Sequence, residues 1–115
     1  MNNHRKEHIS ENIKRHIFFI IRELNDPRIE DNLINIVKID IPENLSFSKI
    51  YISSLKSLEK AKLVAKILNS TKANGYIKNK IGNKIKLRYI PSIRFVATDS
   101  IEYALKISGI LDNIN

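Results

Sequence analysis

The chain has 115 residues, of which 43% are hydrophobic, and carries a formal net charge of +8. That length supports one domain with a real core and is too short for two. The absence of cysteine excludes a disulfide framework and cysteine-based zinc sites, and no apolar run approaches the roughly 18 residues of a membrane span. The opening Met1-Asn2-Asn3-His4-Arg5-Lys6 leads into no apolar segment, so a secretory signal is not expected and a cytoplasmic location is.

In chain order, Ile9, Ile13, Ile17, Ile20, Ile21 and Leu24 recur at helical spacing and predict a helix from Ser10 to Leu24, with residues 1–8 flexible. Asn25-Asp26-Pro27 ends it, because the residue before a proline is pushed out of the helical region. Leu33 to Ile41 reads as a half-buried strand. Ile34 and Ile36 are out of phase with Val37, Ile39 and Ile41, which points to a bulge or a two-sided start. Pro42-Glu43-Asn44 is a turn, and Leu45 to Ser53 a second strand, so the pair should form an antiparallel hairpin.

Leu58, Ala61, Val64, Ala65 and Leu68 restore the helical period, with Lys60, Lys62 and Lys66 off that stripe. Ile77, Ile81 and Ile85 continue it after an interruption rich in asparagine and glycine, which predicts two helices meeting at a kink around Ala73 to Gly75. Leu87 to Pro91 is a connector and Ile93 to Thr98 a third strand. Asp99-Ser100-Ile101-Glu102 has the form of a capping box for a short final helix. These elements predict an α+β fold in which helices cover a three-stranded sheet.

Charge is distributed unevenly. Between Glu59 and Asp99 the sequence has ten cations and no acid: Lys60, Lys62, Lys66, Lys72, Lys78, Lys80, Lys84, Lys86, Arg88 and Arg94. The N-terminal half instead mixes Glu7, Glu11, Glu23, Asp26, Glu30 and Asp31 with its bases. A lysine run is ordinarily a solvated face, but loss of every acid from one continuous stretch suits a polyanionic partner. On the helix after Gly75, Lys80 and Lys84 flank the isoleucine stripe on one side and Lys78 on the other. Arg88 and Arg94 extend that track. A helix start near Asn74 and Gly75 would present backbone amides to an anion, and Gly75 would let a nucleic-acid backbone approach. Tyr76, beside the kink, either stacks on a base or packs beneath the loop.

The order helix, strand, strand, helix, helix, strand resembles the type II KH domain. Arg22-Glu23-Leu24-Asn25-Asp26-Pro27-Arg28, Ser48-Lys49-Ile50-Tyr51-Ile52-Ser53, Ala73-Asn74-Gly75, Gly75-Tyr76-Ile77-Lys78-Asn79-Lys80-Ile81-Gly82 and Leu87-Arg88-Tyr89-Ile90-Pro91 to Phe95 follow one another over nearly the whole chain. In that order and spacing they are similar to segments of the ribosome-binding factor A family. In the family the strand segment reads Ala-Lys-Val-Tyr-Val-Ser, and an Ala-x-Gly kink replaces the usual KH loop. The chain departs at Ser92, where glutamate is common, and at Lys78, where arginine is usual.

The resemblance implies one KH-like domain over residues 1–115 and a monomeric, non-enzymatic factor. It implies binding to free 30S subunits and 16S ribosomal RNA during late assembly and RNA processing, with most importance in the cold. A generic KH-type module acting on other RNA is the alternative. The expected RNA-binding set is Lys72, Asn74, Gly75, Lys78, Lys80, Asn83, Lys84, Lys86, Arg88 and Arg94, with Ala73 and Gly75 forming the kink. No catalytic residues, metal, cofactor, membrane contact or small-molecule substrate are expected. Asp26 and Arg28 read as a helix stop, Asp99 and Ser100 as a cap. His4 and His8 have the spacing of a helical metal pair, with His16 nearby, but lack supporting ligands.

Overall fold

The computed structural model describes residues 2–42, 47–85 and 92–99, with side chains from residue 8 onward. Helix α1 (Asn2–Leu24) is followed by a 3-10 turn (Asp31–Leu33), strands β1 (Ile34–Asp40) and β2 (Phe47–Ser54), helices α2 (Leu58–Leu68) and α3 (Thr71–Ile85), and strand β3 (Ser92–Ala97). The strands form one sheet in the order β1-β2-β3. β1 and β2 are antiparallel, as the short link predicted, and β2 and β3 are parallel across the α2–α3 connection. The architecture is α+β, a three-stranded sheet packed against helices. The Glu43-Asn44 part of the expected turn, the Leu87–Pro91 connector and the final helix lie outside the described residues.

α1 begins at Asn2 rather than Ser10. Apolar periodicity could not mark that start, because the first turns carry no isoleucine. Ile9, Ile13, Ile17, Ile20 and Ile21 form its buried stripe. Asn25 stops the helix in the left-handed region, at φ 50, and its backbone N–H donates to the Arg22 carbonyl over 3.0 Å. Asparagine tolerates that conformation better than most residues, because its short side chain can bond locally.

The phase conflict in β1 resolves as a bulge. Ile36 pairs with Ile52 and Lys38 with Tyr51, so Val37 is the inserted residue. One extra residue flips the alternation, which lets Ile34 and Ile36 share the helix-facing side with Ile39 and Ile41. Ile50 and Ile52 from β2, Ile93 and Phe95 from β3, Val64 and Leu68 from α2, and Ile77 and Ile81 from α3 complete the core. Each such side chain removed from water contributes about 1.5–3 kcal/mol.

Candidate nucleic-acid interface

The α2–α3 break positions the basic side chains. Ser57 caps α2, its hydroxyl accepting from the Lys60 backbone N–H at 3.1 Å. Ala61, Val64, Ala65, Ile67 and Leu68 turn inward, which leaves Lys62 and Lys66 exposed one helical turn apart. The helix breaks at Asn69-Ser70, not at Ala73 to Gly75. The Ser70 hydroxyl donates back to the Ile67 carbonyl at 2.7 Å, and the Asn74 N–H donates to the Ser70 carbonyl at 2.8 Å to start α3. Ala73, Asn74 and Gly75 therefore lie within the first turns of α3. The Ala73 N–H donates to the Ser70 hydroxyl at 3.4 Å, so the amides left over by the helix start belong to Thr71 and Lys72, displaced from the expected Asn74-Gly75 position.

Two asparagine side chains fix this break to the sheet. The Asn69 amide donates to the Phe95 carbonyl and accepts from the Phe95 N–H, both at 2.8 Å. It thus pairs with β3 as a neighbouring strand would. The Asn74 amide donates to the Ile93 carbonyl at 3.0 Å and the Leu68 carbonyl at 3.3 Å. β3 is an edge strand of the sheet, and these bonds satisfy polar groups that an uncovered edge would expose.

Between α2 and β3 runs a groove of about 750 Å³. Lys62, Lys66 and Arg94 line it together with Ala65, Asn69, Ser70 and the Phe95 to Ala97 stretch. The described residues lining it include no carboxylate. Below the break a second hollow of about 350 Å³ is lined by Leu24 to Arg28, Ile67, Ser70, Lys72 and Ala73. There Asp26 accepts from Arg28 three times, from the backbone N–H at 2.9 Å, Nε at 3.0 Å and Nη2 at 2.7 Å. The Arg28 guanidinium bonds hold the Asp26 carboxyl at about 2, below its ordinary 3.8.

The expected site residues divide. Lys72 and Arg94 are exposed at the two hollows, and Lys78 is half-buried on α3. Asn74 is engaged in holding the break. Gly75 is exposed, and a Cβ built there would meet nothing within 4 Å. Lys80 stands 3.9 Å from Glu23 of α1 and 5.5 Å from the centre of the Tyr76 ring, while the Tyr76 hydroxyl donates to Glu23 at 3.2 Å. Asn83 and Lys84 are exposed toward the far end of α3, about 18 Å along the helix from Lys72. Lys86 and Arg88 lie outside the described residues.

The acid-free stretch is therefore not wholly acid-free in space. Glu23 meets Lys80, and Glu30 meets Lys60 at 3.4 Å and Lys56 at 3.3 Å. The Lys56 hydrogen bond, with help from Lys60, keeps the Glu30 carboxyl below the usual carboxylate range. Among the described residues, Lys62, Lys66, Lys72, Lys78, Lys84 and Arg94 have no such ion pair. Lys62 and Lys66 were visible in the sequence as lysines off the α2 stripe. Their place in the groove depends on where β3 packs, which helical period alone does not give.

The family profile described as ribosome-binding factor A matches residues 5–111. The chain belongs to the ribosome-binding factor A family. It is similar to the family's protein from Caldicellulosiruptor bescii, with 40% identity over 96% of this chain and 84% of that one. To the Caldanaerobacter subterraneus protein it is 39% identical, over 97% and 90% of the two chains. The fold resembles the crystal structure of ribosome-binding factor A from Thermus thermophilus with a TM-score of 0.66, over 80% of this chain and 94% of that one, at 20% identity.

Proposed function

We propose that this chain is a non-catalytic, KH-like RNA-binding factor that engages the free 30S subunit through 16S ribosomal RNA during late small-subunit maturation. Family membership favours the ribosome as partner. The observation that carries the RNA reading is the groove between α2 and β3, where Lys62, Lys66 and Arg94 converge on a lining free of carboxylates. A phosphodiester chain supplies the matching charge, and lysine stems can cover apolar surface while their heads reach phosphate. Lys72 at the break and Lys84 further along α3 extend the positive surface. Importance at low temperature, monomeric state and cytoplasmic location are part of the same proposal. Among the described residues no helix is long and apolar enough to cross a membrane.

The test is sedimentation with purified ribosomal particles. The chain is expected to migrate with free 30S subunits and not with assembled ribosomes. Absence from every particle, together with preference for a short unrelated single strand, would reassign it as a general RNA-binding module.

A further inference from the structure

The side of the sheet turned away from the helices carries a second set of groups with RNA chemistry. Alternation along β2 places Ser48, Ile50 and Ile52 inward and Phe47, Lys49 and Tyr51 outward. Phe47 is 44% exposed, unusually open for an aromatic on a central strand, and Tyr51 is half-buried. Lys49 lies between them, and the two rings are separated by about 13 Å along the strand. The register sets Arg94 of β3 beside Lys49, and Lys38 of β1 beside Tyr51. On this surface β2 alternates aromatic and basic groups, flanked by Lys38 of β1 and Arg94 of β3, with Asp40, paired opposite Lys49, as the carboxylate among these neighbours. Exposure falls toward Ser53, which is buried, so the accessible part is the end that carries Phe47, Lys49 and Arg94.

We propose that this outer sheet face is a second RNA contact, on which unpaired bases stack against Phe47 and Tyr51 while Lys49, Lys38 and Arg94 neutralise the phosphates between them. The proposal rests on the reading that the partner is RNA, and adds that this RNA is single-stranded where it crosses the sheet. Flat aromatic rings accept any base, and cations between them suit the linking phosphates. Arg94 both lines the groove and stands beside Lys49, so one strand leaving the groove over the β3 edge reaches Phe47 without a gap in positive charge. The excess of cations over carboxylate makes a second copy of the chain a poor occupant, since like charges would meet.

The sequence contains no tryptophan, so Phe47→Trp installs a fluorophore unique to this face. Titration with purified 16S ribosomal RNA is expected to quench its emission, and a fully paired RNA duplex to leave it unchanged. In filter binding, Phe47→Ala is expected to weaken the 16S RNA affinity about tenfold, and Phe47→Tyr to restore it. Unquenched emission at saturating RNA, or native affinity in Phe47→Ala, would overturn the proposal. If Lys62→Glu with Lys66→Glu then still weakens binding, the groove reading survives that failure. Loss of self-association in Phe47→Ala, with RNA affinity unchanged, would make the face a dimer contact and also overturn it. No RNA binding by the native chain removes both readings together.

Discussion

Ser48 is where one side chain costs the fold most visibly. Its hydroxyl is fully buried on the inner side of β2 and finds no hydrogen-bond partner among the described residues. The related strand segment carries alanine there, which leaves no polar atom to desolvate. An unmade hydrogen bond on a buried group costs about 1–3 kcal/mol. Ser48→Ala is expected to stabilise the chain by about 1 kcal/mol, which thermal denaturation would read as a rise of about 4 °C in Tm. Asp26 gives a second expectation at the same scale. Its folded-state pKa of about 2 is depressed from 3.8, so its contribution is present above pH 3.8 and is lost as pH falls toward 2. The difference in Tm between the native chain and Asp26→Asn should be constant above about pH 4 and shrink below it. A difference independent of pH would mean that the Arg28 bonds do not hold the carboxylate in solution.

Among the elements, those with strong apolar periodicity were legible in the sequence and those set by polar tertiary bonds were not. The strands follow from apolar alternation, the end of α1 from the proline after Asp26, and the β1 phase conflict, which the sequence left open between a bulge and a two-sided start, resolves as a bulge. The α2–α3 break does not follow in this way. Asn74 and Gly75 are the weaker helix formers by propensity, which drew the expected kink to Ala73 to Gly75. The break instead sits where Asn69 finds the Phe95 backbone and Ser70 bonds back to Ile67, interactions supplied partly by a strand more than twenty residues away. Gly75 in an open helical position has a consequence for stability. Gly75→Ala should be accommodated without clash and stabilise α3 by about 0.5–1 kcal/mol, measured by denaturant titration. A lower stability would show that glycine is required for the backbone itself. Unchanged RNA affinity in that variant would show that close approach of a ribose or phosphate does not occur there.

Across the whole molecule, the linear separation of charge is only partly kept in space. Folding brings Glu23 and Glu30 from the N-terminal half onto Lys80 and Lys60. Lys80 thus has a carboxylate partner, whereas among the described residues the groove lysines of α2, Lys62 and Lys66, have none. Periodicity identified Lys62 and Lys66 as solvent-facing, but only the packing of α2 beside β3 brings them to Arg94. Tertiary structure therefore gathers positive charge in the groove between α2 and β3. The RNA binding proposed for the groove would draw its energy from phosphate neutralisation and should depend strongly on salt, with each contact to a single strand contributing about −0.7 to the slope of log K against log salt.

The groove is tested most directly by measuring 16S ribosomal RNA affinity across a salt series for the native chain and for Lys62→Glu with Lys66→Glu. Both lysines are exposed, so the melting curve should remain native. Affinity is expected to fall by about tenfold or more, and the slope to become shallower by about 1.4, the share of two phosphate contacts. Native affinity with a native slope in the doubly reversed variant would contradict the groove as the RNA-binding surface.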